Sequence, residues 1–430
     1  MRRTIVLALV LVECLMNSIL YSQTRNYNFY LEKALTSSPL LQDLNSQKQL
    51  SLDEQDRLKK QYTRSRLEMN GNYLFVPIIN RDKGRTSFQW DAQDATDYYG
   101  YDSSVTTGEF RAGFTWTKPL AGGASYRIAK QKGEIDRELL NQHIQMEQHE
   151  LTRTVTEQYL LCHSDLVGLA ETDSIDKILK TQRAIIEKLM RQALAKQTDI
   201  NLIDIEISNN KQTASSFRQS YWTHLLDLNL LCGITDTTNV KLEPIQLSEQ
   251  KTDVESHFLK AFYFDSLSIK NDYKQFAVNY SPKLNLFIDG GLRTTSQFTN
   301  LTQHFGASTG ISFSWLINDG GQKRNKYRQM QYLLNINEVY KTRKQVMILQ
   351  KRNICLKQLA EQQSKITDIK NQLSDYENLL DKYMSEIKAG QISILDYITV
   401  LKGYVQQKKE YDNNLINREI IINALNYWNW

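Results

Sequence analysis

The segment Lys388-Ala389-Gly390-Gln391-Ile392-Ser393-Ile394-Leu395-Asp396 separates two long stretches of helical sequence. Before it, residues 322–389 contain neither glycine nor proline, and a helix of that length reaches on the order of 100 Å. Apolar residues recur there in steps of three and four at Ile366, Ile369, Leu373, Tyr376, Leu380, Tyr383 and Ile387, and after it at Ile394, Ile398, Leu401 and Val405. Because glycine readily takes the positive φ that ends a helix, we expect an antiparallel coiled-coil hairpin with its tip at Gly390.

The same hairpin pattern occurs earlier in the chain. Residues 195–204 align with residues 387–396, which places Asp204 on Asp396 and Thr198 on Gly390. A glycine pair precedes each tip, 122–123 in the first copy and 320–321 in the second. The sequence therefore predicts an internal duplication: repeat one at about 27–234, a linker at 235–249 and repeat two at about 250–430.

The start of the chain has the pattern of a secretory signal peptide. Arg2 and Arg3 precede an apolar stretch, and Ser22 is a small residue before a polar break, so residues 1–22 are predicted to be removed. Glu13 is an unfavourable neighbour for lipidation of Cys14. The remaining cysteines, Cys162, Cys232 and Cys355, are too widely spaced for a disulfide framework, which favours packing over bridging.

Four short segments change from the helical period to strict alternation, and they are predicted to be strands at about 67–77, 108–118, 283–290 and 307–317. Exposed loops are predicted between them at 78–107 and 292–305. One face of these strands is apolar and would contact lipid: Phe110, Phe114, Trp116, Leu284, Leu286, Ile288, Ile311, Phe313 and Trp315. The alternative is a soluble sheet, but the flanking helices are far too long to fold back over it.

Four strands are too few to close a barrel, and an open sheet edge is not viable in lipid. If these strands lie in a membrane, several chains must share one barrel. Trp116 and Trp315 fall at the strand ends nearest the helices, where an aromatic girdle is typical of membrane barrels. The sequence thus predicts a mostly α fold with long coiled-coil hairpins, an internal duplication and a small membrane β part.

These features together resemble the TolC-type outer-membrane efflux protein family over essentially the whole mature chain. The resemblance is carried by residues 34–40 and 228–234, by Pro282-Lys283-Leu284 before a strand, by the two glycine pairs and above all by the segment 390–396. It implies a homotrimer whose four strands per subunit form a shared barrel in the outer membrane of a Gram-negative bacterium. It also implies that the helices extend into the periplasm.

The resemblance further implies an exit duct for a tripartite efflux or type I secretion system. Such a duct docks a periplasmic adaptor (membrane fusion) protein and an inner-membrane RND or ABC transporter. The implied periplasmic entrance consists of the tip residues Asp396, Asp204, Thr198, Asp199, Gly390, Gln391 and Ile392, with Asp396 lining the narrowest point. Thr198 departs from the usual tip glycine, and Ile392 departs from an arginine that forms a closing latch in some members. Arg191, Lys196 and Lys388 are nearby bases that could substitute for it.

No catalytic constellation is evident, so no enzyme activity, cofactor or metal is predicted. His143 and His149 are six residues apart on one helix and do not share a face at metal-ligand spacing. The glycine pairs lack the Lys-Ser/Thr of a phosphate-binding loop. The formal net charge of +5 is small and spread along the chain, which does not suggest nucleic acid. A periplasmic coiled-coil adaptor or scaffold remains the alternative function, although adaptors usually contain a single hairpin. The transported substrate is not specified by the sequence.

Overall fold

A computed structural model describes residues 24–75, 78–82, 84–89, 98–99, 108–192, 195–238, 240–251, 255–294, 305–389, 391 and 394–430. The predicted signal peptide and two residues of the predicted entrance, Gly390 and Ile392, lie outside these described residues. The chain forms two compact units. The strand unit comprises residues 47–140 and 262–339, and the hairpin unit comprises the remainder.

Helices dominate the part of the chain that the structure describes. The α-helices are α1 Tyr27–Ser37, α2 Pro39–Thr63, α3 Gly123–Arg191, α4 Gln197–Leu231, α5 Lys260–Ala277, α6 Gln322–Lys388 and α7 Ile394–Asn429. The two longest, α3 and α6, have 69 and 67 residues and contribute to both units. None of the described helices is both long enough and apolar enough to cross a membrane.

The strand unit contains two antiparallel sheets. The strands are β1 Arg66–Phe75, β2 Ile78–Asp82, β3 Arg85–Gln89, β4 Tyr98–Tyr99, β5 Gly108–Pro119, β6 Lys283–Thr294 and β7 Phe305–Ser314. The larger sheet has the order β1-β5-β6-β7 and joins the strands of both repeats through the β5–β6 pair. It contains the four strands predicted from the sequence. The smaller sheet has the order β3-β2-β4.

The smaller sheet corrects the prediction of a loop over residues 78–107. Strands β2 and β3 pair closely enough that Asp82 stands opposite Arg85, and Gly84 between them has a φ of 80°. A two-residue hairpin connection of this kind depends on positive φ, which glycine supplies at little cost. The polar composition of residues 78–89 concealed this turn, because only Ile78, Ile79 and Phe88 give them apolar character.

Two other boundaries also differ from prediction. Strand β6 continues to Thr294, where the predicted loop had already begun at 292, because its ladder with β7 extends to the pair Leu292–Phe305. Strand β7 ends at Ser314 and not at 317. Immediately after it, the Trp315 indole donates a hydrogen bond to the carbonyl of Tyr280 at 3.1 Å, so the chain turns away from the ladder.

The hairpin unit is held together by two buried clusters. One surrounds the hairpin tips and contains Ile175, Leu179, Ile186, Leu189, Ile200, Ile203, Ile207, Ile387, Tyr397, Ile398 and Leu401. Because it mixes residues of α3, α4, α6 and α7, the two hairpins share one core. The other cluster includes Tyr30, Tyr159, Tyr221, Cys162 and Cys232. All three mature cysteines are buried and unbridged, in agreement with a packing role.

Candidate functional site: sheet faces and hairpin tips

Strand register brings the predicted lipid-facing residues onto one face of the larger sheet. Directly paired residues of neighbouring strands point to the same side. Phe114 pairs with Met69, and Trp116 stands between Leu67 and Ile288. The remaining cross-strand pairs on this face are Tyr73 with Phe110, Leu286 with Ile311, and Leu284 with Phe313. Eight of the nine predicted residues therefore occupy strand positions of one face. The ninth, Trp315, lies just beyond the end of β7.

This apolar face is open along its whole width. Its exposed side chains include Leu67, Met69, Tyr73, Phe114, Ile288, Ile311 and Phe313, with relative exposures between 47% and 74%. A contiguous exposed patch of large apolar residues is rare on a protein surrounded by water, and it marks an interaction surface. The face therefore requires an apolar partner or an apolar medium.

The opposite face carries a polar network that the sequence reasoning missed. Thr115 of β5 donates to Oδ1 of Asp289 in β6 at 2.6 Å, and the Arg111 guanidinium donates to Oδ2 of the same carboxylate at 3.1 Å. Asn70 of β1 donates to Thr115 at 3.4 Å. The alternation of Arg111 and Thr115 with the apolar residues of β5 was the available signal. Their pairing with Asp289 depends on a register that only the structure supplies.

Strands β5 and β6 approach each other unusually closely at Gly113 and Gly291, which are paired across the ladder. A Cβ atom added to Gly291 would lie 2.3 Å from the Gly113 Cα atom and 2.4 Å from the carbonyl oxygen of Ala112. Real side chains do not tolerate such distances, so the close approach requires glycine at this position. The contact fixes the junction between the strands of the two repeats.

At the second tip, a backbone hydrogen bond closes the C-terminal end of α6. The Gln391 N–H donates to the carbonyl of Glu386 at 3.0 Å, which is the bond expected when a helix ends with glycine one residue earlier. Gln391 is exposed. Asp396 follows in the first turn of α7 and is also exposed. No ion pair of its carboxylate is present among the described residues.

The first tip has a different arrangement. The carboxylate of Asp199 accepts a hydrogen bond from the backbone N–H of Lys196 at 2.8 Å, which caps the start of α4. Thr198 is the second residue of α4 and therefore lies inside the helix rather than at the turn. Thr198 aligns with Gly390 in sequence, but in the structure it lies after the point where the chain reverses.

Asp204 is not free at the first tip, because it pairs with Arg183 of α3. The Arg183 Nε atom lies 2.6 Å from Oδ1 of Asp204, and Nη2 lies 3.4 Å from Oδ2. Sequence reasoning considered Arg191 and Lys196 as partner bases and missed Arg183. The signal was present, since in an antiparallel hairpin two residues at similar distances from the turn stand side by side. Arg183 lies eight residues before the end of α3, and Asp204 lies seven residues after the start of α4.

Ion pairing also joins the two hairpins to each other. Lys402 of α7 lies 2.7 Å from the Glu206 carboxylate of α4, above the buried cluster at the tips. Within the second hairpin, the Tyr404 hydroxyl donates to Glu377 at 3.1 Å. The tips are therefore fixed by polar contacts around an apolar core. The described residues contain no group of three His, Cys, Asp or Glu side chains that could hold a metal ion.

Comparison with solved structures shows that the fold is similar to that of several outer-membrane channels. The outer membrane protein VceC from Vibrio cholerae superimposes with a TM-score of 0.69 at 10% identity, covering 94% of this chain and 95% of VceC. The Campylobacter jejuni CmeC outer membrane channel gives 0.67 at 9% identity, covering 94% and 85%. The open-state MtrE outer membrane channel of Neisseria gonorrhoeae gives 0.66 at 10% identity, covering 94% and 88%.

These likenesses confirm the predicted fold class and the TolC-type resemblance at the level of the fold. Each covers nearly the whole chain, so the duplicated helical hairpins and the shared sheet are found together in one known architecture. No protein-family model matches the sequence, and no curated protein is similar to it in sequence.

Proposed function

We propose that this chain is the outer-membrane exit duct of an efflux or type I secretion system, a passive channel without enzymatic activity. The observation that carries the proposal is the exposed apolar face of the larger sheet. Its opposite face bears the Arg111–Asp289–Thr115 network. A sheet that is apolar on one side and polar on the other is suited to lipid outside and water inside.

The edges of the sheet support an assembly of several chains. In the described part of the protein, β1 pairs only with β5, and β7 pairs only with β6. Each edge therefore exposes backbone N–H and C=O groups, which cannot remain unpaired in hydrocarbon. Copies of the chain would satisfy these groups by pairing β7 of one copy with β1 of the next. The number of copies that the resemblance implies is three.

In this proposal the helical hairpins extend into the periplasm of a Gram-negative bacterium and their tips form the entrance. A periplasmic adaptor and an inner-membrane RND or ABC transporter would dock there. The known channels of this fold support the location in the outer membrane. Asp396 supports the entrance, because it is an exposed carboxylate close to the turn of the second hairpin.

Arginine substitution on the two faces tests the proposal. Phe114→Arg is expected to lower the free energy of unfolding by about 2–4 kcal/mol if this residue lies near the midplane of a bilayer. Ser312→Arg is the matched control, because Ser312 is exposed on the opposite face. It is preferable to Thr115, which donates to Asp289. Urea unfolding in lipid vesicles measures both changes.

Equal damage from the two substitutions would mean that both faces are packed, as in a soluble sheet, and would overturn the inside–outside assignment. Carbonate extraction of membranes separates the proposal from a periplasmic adaptor or scaffold. An integral outer-membrane duct stays in the pellet, whereas a peripheral coiled-coil protein is released into the supernatant.

A further inference from the structure

Four segments of the chain meet at one end of the larger sheet, where strand termini lie side by side. Strands β1 and β6 begin at this end, and β5 and β7 finish there, since all neighbouring strands are antiparallel. The strand register places these termini next to each other, because Arg66 pairs with Thr117 and Lys283 pairs with Ser314. We call residues 59–66, 118–128, 278–288 and 315–328 the basic edge.

The basic edge is strongly and almost uniformly positive. It contains eleven lysines and arginines and a single acidic residue, Asp319. All the basic residues except Lys326 are exposed. The Asp319 carboxylate is already engaged, because it accepts hydrogen bonds from the Tyr280 hydroxyl and from the backbone N–H groups of Gly321 and Lys323. Lys60 and Arg66 form ion pairs with Asp56 and Glu68, which flank these segments, and the other nine basic residues leave an excess of cationic groups.

The positive charge is continuous with the apolar face. Lys118 lies on that face, two residues beyond Trp116, and stands opposite Leu286 in the register. The Lys323 ammonium lies 5.3 Å from the centre of the Tyr280 ring. The backbone carbonyl of Tyr280 accepts the hydrogen bond from the Trp315 indole. Lysine and arginine can lay their methylene stems on apolar surface while the charged ends remain in water. Tryptophan and tyrosine favour the same boundary between hydrocarbon and headgroups.

We propose that the basic edge binds the headgroups of anionic phospholipids in the leaflet on the helix side of the sheet. The inference rests on the proposed function, which places the apolar face in a bilayer, and it adds a preference for lipid charge. Charge complementarity decides the class of lipid, since zwitterionic headgroups carry no net charge to balance the cations. The attraction of each lysine or arginine to an anionic membrane surface corresponds to about a fivefold change in association.

Lipid retention by the full-length protein tests the inference. The protein is reconstituted into bilayers of equal parts phosphatidylcholine and phosphatidylglycerol and extracted in mild detergent, and the co-purified lipids are quantified by mass spectrometry. The variant carries Lys118→Gln, Arg127→Gln and Arg324→Gln. Its matched control, Lys365→Gln with Lys370→Gln and Lys382→Gln, removes the same charge from exposed positions of α6 in the hairpin unit.

The wild type and the control are expected to retain phosphatidylglycerol in excess over phosphatidylcholine. The edge variant should lose most of that enrichment, and 0.5 M salt should reduce it in the wild type. Phosphatidylglycerol enrichment in the edge variant equal to that in the wild type, or no enrichment in the wild type, would overturn the proposal that the basic edge binds anionic lipid. Reconstitution into pure phosphatidylcholine separates the two proposals. A wild-type protein that inserts into pure phosphatidylcholine but shows no phosphatidylglycerol enrichment from the mixture refutes only lipid binding at the basic edge, whereas one that inserts into neither bilayer refutes the membrane duct itself.

Discussion

At the scale of single residues, a close backbone approach between strands β5 and β6 of the two repeats depends on Gly291. Replacing it with alanine drives a Cβ atom into Gly113 and Ala112, so Gly291→Ala should cost about 1–3 kcal/mol through overpacking. Gly306 is the matched control, because it pairs with Gly291 on the next strand and a Cβ atom there meets nothing within 4 Å. Urea unfolding of the two variants checks this. Similar losses would show that the cost belongs to strand glycines in general.

Asp396 and Asp204 align in the sequence duplication, but they stand at different positions in their helices and have different surroundings. Asp204 is neutralised by Arg183, whereas the Asp396 carboxylate is exposed near the turn. If copies of the chain surround a common axis, their Asp396 side chains form a ring of carboxylates that favours cations. We predict that Asp396→Ala weakens the block of conductance by multivalent cations applied at the tip side.

Asp204→Ala is the control for this experiment and should leave the block unchanged. Planar-bilayer recordings on both variants measure the effect. A different result is expected if Asp396 merely stabilises the start of α7, where acidic residues interact favourably with the helix dipole. In that case Asp396→Ala would lower thermal stability and leave ion selectivity and cation block as in the wild type.

At the scale of elements, helices α3 and α7 meet at a cluster of charged groups. Glu171 of α3 is buried and lies 3.3 Å from the Lys408 ammonium of α7. Partial burial, together with the nearby Glu171 carboxylate, raises the pKa of Asp412 to about 6. The folded protein therefore holds this proton more tightly than the unfolded chain does. Stability should fall as the pH rises from about 4 to about 6, and this contribution should be constant above that range.

Asp412→Asn removes the titration while keeping the size of the side chain. The gain in melting temperature of this variant over the wild type should therefore be larger at pH 7 than at pH 4.5. Asp375→Asn, at an exposed carboxylate of α6, is the control and should show the same difference at both pH values. Melting curves followed by circular dichroism decide the matter. A pH-independent difference for Asp412→Asn would contradict the proton uptake.

The sequence predicted the long elements well, because their signals extend over many residues. The absence of proline and the heptad spacing define α6, and alternation defines the four strands of the larger sheet. Short or pairwise features were less accessible. The β2–β3 hairpin depends on one glycine in a polar segment, and the Thr115–Asp289 contact joins residues 174 positions apart. Such contacts follow from register, which periodicity alone does not determine.

The Arg183–Asp204 pair was easier to predict from the sequence than the Thr115–Asp289 contact and harder than the long helices. It joins residues 21 positions apart, and hairpin symmetry would have indicated it once the turn had been located between them. Alignment on Gly390 instead placed Thr198 at the tip, although α4 already begins at Gln197. In the first repeat the returning helix begins at Gln197 and is capped by Asp199, whereas in the second repeat it begins at Ile394, so the aligned positions stand at different distances from the helix start.

At the scale of the whole molecule, the described residues of a single chain leave two sheet edges unpaired and one wide apolar face exposed. These features are compatible with a stable protein only if other chains cover the edges and lipid covers the face. The fold shared with outer-membrane channels is consistent with such an arrangement. Assembly is therefore the central requirement of the proposed duct, and a folded isolated chain is not expected.

The most direct test is the molar mass of the purified full-length protein in mild detergent, measured by light scattering with the detergent contribution subtracted. The account predicts a single species with about three times the mass of one chain, which is 50.1 kDa for the full sequence. Circular dichroism of the same fraction should show intact helices. A folded species with the mass of one chain would contradict the shared barrel and, with it, the proposed duct.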